Sequence, residues 1–468
     1  MINTVAKLKK ILLIVGDLFI LYFSLWLVLL VRYGQVETER WQQHFLPFSI
    51  IFAVWLIIFY INNLYELKTA RNSLDFYAII LKSLLWCASL AVAFFYLLKI
   101  GIAPKTNLAL QLIFFSLLFV FWRNLFNLLA KTKALANNVL IIGLTSATIQ
   151  LIKELTDKPQ HGLRLVAVFN ENPDLLSPEL ENEVRQQGLK IISPDVSLLD
   201  TVIDEKISII VSALDLHNHP NLLGIIFRCL SLKITFFDLP EFLEKITNKV
   251  PVNAIGQIWF LENFKEEKKK MYEISKRIFD LLGALILFII TLPFLPLIFL
   301  VVKLNIHGPF LFRQIRLCKS GHRFLAIKIR SMHRNAEING PQWAKKNDPR
   351  VTKSGRFMRK TRIDEIPQLI NIIRGEMSFI GPRPERPEFV EKLEQKIPFY
   401  RERNLVKPGL TGWAQVNFPY GSSEEDALEK LQYDLYYIKN RSFILDLSIV
   451  LKTIKIVLAG GGQYKSLH

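Results

Sequence analysis

Cysteine is scarce: the 468 residues hold three, Cys87, Cys229 and Cys318. They lie far apart, with no CxxC or other ligand spacing, which excludes a disulfide framework and leaves them as reduced thiols. Acidic residues are also in deficit, 41 Asp and Glu against 59 Lys and Arg, for a formal charge of +18. No small-residue cleavage site follows the first apolar run, so a removable signal peptide is not expected and the run reads as an anchor. Glycine is missing where a dinucleotide fingerprint would need it. The turn Gly143-Leu144-Thr145-Ser146-Ala147 has only its first glycine, weak support for any ligand there.

Apolar residues, by contrast, are abundant at 51%, more than an ordinary soluble protein carries. Four runs come early, from Ile11 to Val31, Phe45 to Tyr65, Ala78 to Leu98 and Leu108 to Ala130. Each approaches the roughly 20 residues of a spanning helix. The charges Asp17, Lys82 and Arg123 interrupt them; Lys82 and Arg123 lie near enough to an end to snorkel, whereas Asp17 is equally readable as structural or functional. Lys7, Lys9 and Lys10 before the first run, and Lys131 and Lys133 after the fourth, predict that both ends of this module, residues 1–134, face the cytosol. In a membrane protein the charge excess also suits anionic lipid or an anionic substrate; nucleic acid is not expected as a partner.

Residues 135–262 change rhythm. Short β-branched runs, such as Val139-Leu140-Ile141-Ile142 and Ile207-Ser208-Ile209-Ile210-Val211, alternate with polar helix-like stretches and predict a parallel-sheet, Rossmann-like α/β domain. Residues 263–304 follow as a basic linker, with Lys268, Lys269, Lys270, Lys276 and Arg277, and an apolar segment from Leu281 to Val302. That segment is long enough to span, but Pro293 and Pro296 interrupt helical hydrogen bonding at its middle. Both flanks are basic, with Lys303, Arg313 and Arg316 on the far side. A re-entrant membrane hairpin broken at Pro293 is therefore expected in preference to a fifth span.

Residues 305–468 are polar and rich in arginine. Asp364-Glu365-Ile366-Pro367-Gln368 places two carboxylates at a helix start, since proline is tolerated in a first turn. There the helix dipole favours ionised carboxylates, which suits a nucleophile or a ligand for a hard cation; a plain acidic cap is the alternative. Arg330, Arg350, Arg359, Arg362 and Arg383 surround the pair in sequence and offer planar donors for phosphate oxygens. Gly381-Pro382-Arg383-Pro384 is stiff and would present Arg383 on a pre-organised loop. The last stretch carries an apolar stripe, Ile444, Leu447, Val450, Leu451 and Ile454, fit to lie on a membrane surface.

From Lys276 to the end the chain resembles the bacterial sugar transferase family, the polyprenyl-phosphate hexose-1-phosphate transferases of the monotopic phosphoglycosyl transferase superfamily. The resemblance rests on Lys276-Arg277-Ile278-Phe279-Asp280, Lys328-Ile329-Arg330-Ser331-Met332, Asp348-Pro349-Arg350, Asp364-Glu365-Ile366-Pro367-Gln368, Met377-Ser378-Phe379-Ile380-Gly381-Pro382-Arg383-Pro384 and Pro408-Gly409-Leu410-Thr411-Gly412-Trp413, in the family's order. It implies a mostly helical α+β catalytic domain on the cytosolic side of a bacterial inner membrane. It also implies transfer of hexose 1-phosphate, glucose or galactose, from a UDP-hexose to undecaprenyl phosphate, with Mg²⁺ required. Asp364 would be the nucleophile, Glu365 would help hold Mg²⁺ or handle protons, and Lys328, Arg330, Arg350, Arg359, Arg383 and Gln368 would bind phosphate or nucleotide. One departure stands out: the family's Ser-Pro at the hairpin break is Leu292-Pro293 here, so that either Thr291, one position earlier, supplies the hydroxyl for a freed carbonyl or the break is held differently.

A non-catalytic membrane scaffold is the competing class, against which the intact Asp364, Glu365 and Arg383 argue. The spanning module and the middle domain together offer surfaces for a homodimer.

Overall fold

The computed structural model describes residues 2–66, 72–97, 105–130, 137–157, 162–170, 184–186, 189–194, 197–232, 234–264, 269–305, 308–334, 336–338, 340, 342–343, 348–418, 421 and 423–458. Lys131, Lys133 and Lys268 lie outside the described residues. The chain divides into two compact units, Met1–Phe242 and Leu243–His468.

The first unit opens with four long helices, Ile2–Tyr33, Thr38–Ile61, Leu74–Leu97 and Lys105–Ala130, each long and apolar enough to cross a membrane. The first packs on the second and fourth, and the third on the same two. Their inward sides share one core, including Leu21, Phe52, Trp55, Phe59, Phe115 and Phe119. Outward residues such as Phe19, Leu81 and Phe121 stay exposed, as helices with lipid around them require. Arg123 differs from the expectation. It does not snorkel: it is 1% exposed, and its Nη2 meets Asp17 Oδ2 at 2.5 Å while Nη1 donates to Leu64 O at 2.8 Å. Lys82 is exposed, as expected of a side chain that can reach outward.

The same unit holds a five-stranded parallel sheet in the order β3-β2-β1-β4-β5, with β1 Asn137–Ile142, β2 Leu163–Phe169, β3 Lys190–Ile192, β4 Ile207–Ser212 and β5 Thr235–Asp238. Its central strands are buried and read as continuous apolar runs, the pattern of a sheet covered on both faces. The strand order reverses between β1 and β4, where a parallel sheet opens its ligand crevice. Here Leu214 fills the approach to Gly143 (φ +87°): a Cβ on that glycine would come within 2.6 Å of the leucine.

In the second unit, helix Lys270–Thr291 leads into a 3-10 turn, Leu292–Phe294, and then helix Leu295–Asn305. Pro293 sits in the tightened turn, where no α-helical bond is asked of its nitrogen. The Thr291 hydroxyl donates to Leu287 O at 2.8 Å and Phe288 O at 3.1 Å. That is ordinary back-bonding within a helix; the carbonyl four residues before Pro293 belongs to Ile289, so Thr291 does not replace the family's serine in the role expected of it.

Strands β6 (Leu311–Leu317) and β7 (Arg323–Ile329) form an antiparallel ribbon, and β8 (Ser378–Ile380) pairs in parallel with β9 (Gly409–Thr411). The unit also holds helices Gln257–Asn263, Lys353–Thr361, Gln368–Arg374, Pro387–Glu394, Trp413–Asn417, Glu424–Asn440 and Phe443–Leu458. Both limbs of the proline-broken segment pack on this domain. Ala284 joins Phe324, Ala326, Leu369 and Ile372 in one core, and Val302 joins Ile329 and Met358 in another. Polar contacts fix the first limb: Arg277 donates to Ile372 O at 2.6 Å and Ile373 O at 2.8 Å, at the carbonyl end of helix Gln368–Arg374, and Asp280 accepts from Phe379 N at 3.1 Å.

Candidate active site

Helix Lys353–Thr361 ends at Arg362, which takes a left-handed conformation (φ 61°) and turns the chain into a single 3-10 turn, Ile363–Glu365. Helix Gln368–Arg374 begins three residues after Glu365, with Pro367 at its cap. The carboxylates expected at a helix start thus lie in the tight turn before it, and the rest of the unit is built around them. A cavity of about 530 Å³ opens here, lined by Asp364, Glu365, Lys328, Arg330, Arg350, Arg359, Arg362 and Arg383 among others.

The two acids are used differently. Glu365 Oε1 accepts from Arg383 at 3.0 Å and from Lys328 at 3.4 Å, and Oε2 accepts from Arg362 at 3.3 Å. Burial alone would push the Glu365 carboxyl up; Arg383, Lys328 and Arg362 outweigh it and hold it well below the usual carboxylate range. Asp364 is 6% exposed, yet its Oδ1 is buried with no hydrogen-bond partner. Burial first, and the neighbouring Glu365 second, push its carboxyl above the ordinary value against the pull of Lys328, Arg359 and Arg383. The turn therefore presents one saturated anion and one poised oxygen.

Around them the cations are desolvated. Burial pushes Lys328 down to about 8 in spite of Glu365, and it lowers Arg359, which donates to Ser331 Oγ at 2.9 Å. Arg330 stands at the edge nearer the broken segment, bonded through Nε to Pro309 O at 2.9 Å. Arg350 lines the cavity, but its donors are spent on Asp348 (2.6 and 2.9 Å), Ala336 O and Trp343 O, so it orders a loop. Gln368, one turn further along the chain, is 2% exposed and absent from the cavity lining, and its Nε2 is buried without a hydrogen-bond partner.

The hard oxygen on Asp364 is the kind magnesium takes together with substrate phosphates, so Asp364 fits such a cation. Glu365 fits it poorly, because both its oxygens already hold Lys, Arg or both. No group of three or more His, Cys, Asp or Glu with metal-binding geometry occurs among the described residues.

Sequence reasoning missed Arg403. It is 5% exposed, and its guanidinium joins Asp434 Oδ2 (2.8 Å), Tyr400 OH (2.8 Å) and the carbonyl of Arg383 (3.1 Å). It thereby fixes the stiff loop that carries Arg383. Its neighbours in Tyr400-Arg401-Glu402-Arg403-Asn404 are mixed charges that read as a solvated face, and nothing local marks it. Arg316 and Arg386 also line the cavity.

A cavity floored by an acid pair and walled by arginine and lysine has the charge and donors to receive an anionic, phosphate-bearing ligand. The protein-family description "Bacterial sugar transferase" matches residues 271–460, and the chain belongs to that family. It is 38% identical over 240 residues to the UDP-N-acetylgalactosamine-undecaprenyl-phosphate N-acetylgalactosaminephosphotransferase of Aeromonas hydrophila, across 50% of this chain and 55% of that one. It is 29% identical over 330 residues to the undecaprenyl-phosphate glucose phosphotransferase of Komagataeibacter xylinus, across 69% of this chain and 59% of the other. With the UDP-glucose:undecaprenyl-phosphate glucose-1-phosphate transferase of Caulobacter vibrioides it shares 38% over 194 residues, 41% of this chain and 73% of the relative. The matched region thus spans a little over half the length of the first two relatives and most of the third.

Proposed function

We propose that this protein transfers a hexose 1-phosphate from a UDP-sugar to undecaprenyl phosphate, releasing UMP, as the first membrane step of a bacterial polysaccharide pathway. The observation that carries the reading is the division of labour in one turn: Glu365 enclosed by three cations, and Asp364 with a buried oxygen aimed at no partner. The relatives' names supply the substrate class; they divide between glucose and N-acetylgalactosamine, and the expectation from sequence is glucose or galactose.

In this reading an Asp364 oxygen attacks the β-phosphorus of the donor. The bond from that phosphorus to the bridging oxygen breaks, and UMP departs with the electron pair. An oxygen of undecaprenyl phosphate then attacks the same phosphorus and displaces Asp364, which regains its charge. A carboxylate nucleophile divides a reaction between two anions into two displacements at one place. Arg383 and Lys328, oriented on Glu365, together with Arg359, meet the charge that gathers on the phosphoryl oxygens. Mg²⁺, held by Asp364 with the donor's phosphates, would supply further charge neutralisation.

The broken apolar segment enters the same reading as a re-entrant hairpin. A straight helix from Asp280 to Val302 would extend about 33 Å, close to the thickness of the hydrocarbon core. Yet residues near both ends contact one polar domain. Dipping into one leaflet and returning satisfies those contacts and brings the lipid phosphate to the edge marked by Arg330. The four-helix module would anchor the enzyme in the inner membrane with the catalytic domain in the cytosol, and the Rossmann-like domain would have a structural or regulatory role; a homodimer and anionic lipid are the further partners proposed.

The test is UMP release by the full chain in nanodiscs given Mg²⁺, undecaprenyl phosphate and a panel of UDP-sugars. Asp364→Asn should lower turnover by about 10³-fold or more. An active variant would remove Asp364 as nucleophile, and a wild type silent with every donor would favour the scaffold.

A further inference from the structure

Beyond the acid pair the cavity continues along β6. Alternate residues of a strand face one side, and Phe312, Gln314 and Arg316 all line the cavity. Phe312 lies opposite Lys328 in the ribbon, level with the acid pair. Gln314 lies one step further from the membrane segment, about 7 Å along the strand. At that level Gln314 Nε2 donates to Glu337 Oε1 at 3.3 Å, and Arg386 Nη1 donates to the same oxygen at 3.0 Å. The guanidinium of Arg386 lies 5.7 Å from the Phe389 ring centre, and Phe389 packs on Trp343 at 5.3 Å. The Trp343 carbonyl is held by Arg350, so the aromatic pair is fixed before any ligand arrives. None of these groups is needed for the displacement chemistry.

We propose that this wall is the nucleoside subsite of the donor, with Phe389 and Trp343 as the platform for a uracil ring and Gln314, Glu337 and Arg386 reading its edge. The inference rests on the transferase reading above and adds which part of the donor lies where. The chemistry is complementary in sequence as well as in kind. The uracil edge runs acceptor, donor, acceptor through O2, N3–H and O4, and the wall offers an amide donor, a carboxylate acceptor and a guanidinium donor. Cytosine reverses two of the three positions, presenting an acceptor at N3 and a donor at N4, and would set N3 against the carboxylate. A flat ring also stacks on the aromatic pair, where the α-phosphate end points back toward Arg316, Lys328 and Arg383.

The experiment is calorimetric binding of UMP and CMP to the full chain in nanodiscs, followed by donor and acceptor kinetics. Wild type should prefer UMP by about tenfold or more, the value of one well-placed hydrogen bond to a charged group. Glu337→Gln should bring the two nucleotides to within a few-fold. Phe389→Leu and Trp343→Ala should weaken UMP by about 10- to 100-fold and raise KM for the UDP-sugar, with KM for undecaprenyl phosphate unchanged. Glu337 is more than a third exposed, so its substitution tests the idea even if loss of Trp343 disturbs the loop. Variants that bind UMP as wild type does, or that alter only which sugar is accepted, would overturn the assignment while leaving the transferase intact. A wild type that binds no uridine nucleotide would overturn the transferase reading with it.

Discussion

Two buried carboxylates paired with arginine, one in each unit, show what separates a structural charge from a working one. Asp17 and Arg123 form a one-to-one pair among long apolar helices; the arginine also donates to Leu64 O and lies 4.9 Å from the Phe119 ring centre. The formal charges cancel, and the Gly16–Trp122 contact closes the space beside them. Around Glu365, by contrast, three cations meet one anion; a buried carboxylate oxygen without a hydrogen-bond partner occurs in both places, Asp17 Oδ1 and Asp364 Oδ1, and does not separate them. A region with more positive charge than it needs for itself is prepared for an anion from outside. The excess, rather than the burial, distinguishes the site.

The largest effect should come from breaking the cancelled pair. Arg123→Ala leaves Asp17 buried alone and is expected to cost about 3–5 kcal/mol of stability, read as loss of folded protein in a detergent melting assay. Replacing both members with leucine should recover most of that loss, and failure to recover would give the pair a role beyond packing. Next, Arg383→Ala should leave the melting curve nearly unchanged, since the side chain is partly exposed, while lowering turnover by about 10²- to 10³-fold, the scale for one electrostatic donor at a reacting centre. If it instead unfolded the protein, Arg383 would be a structural charge like Arg123.

The smallest effect is expected from pH. Lys328, pushed down to about 8, loses its proton as pH rises through that value, so the cation excess shrinks and donor KM should rise several-fold between pH 7 and 9. Lys328→Arg should flatten this limb. On the acid side, Asp364 must be ionised to attack, and its upward shift places the loss of activity above the 3.8 of an ordinary aspartate. Glu365, shifted the other way, stays charged throughout.

Legibility differed residue by residue. Asp364, Glu365, Arg359 and Arg383 could be read because they sit in dense local motifs, and the cavity gathers them. The four long helices and the α/β rhythm were equally open to periodicity. Arg350 and Gln368 share those motifs, but the first turns to loop order and the second is buried outside the cavity lining, a choice that rotamer and packing make after the motif is written. Arg123 was misread because its counter-ion, Asp17, comes from another helix. Arg403 and the Gln314–Glu337–Arg386 wall stayed hidden for the same reason: their partners lie tens of residues away.

The sequence by itself determined where the long apolar helices fall, the mixed α/β character of the region that follows them and the family, because hydrophobic period, turn residues and motif order act over short stretches of chain. Only the tertiary structure decided which carboxylate is neutralised and which is left poised, which arginines face the cavity, and where Leu214 fills a crevice. Those outcomes depend on burial and on charges brought together across long separations, and neither quantity exists until the chain has folded.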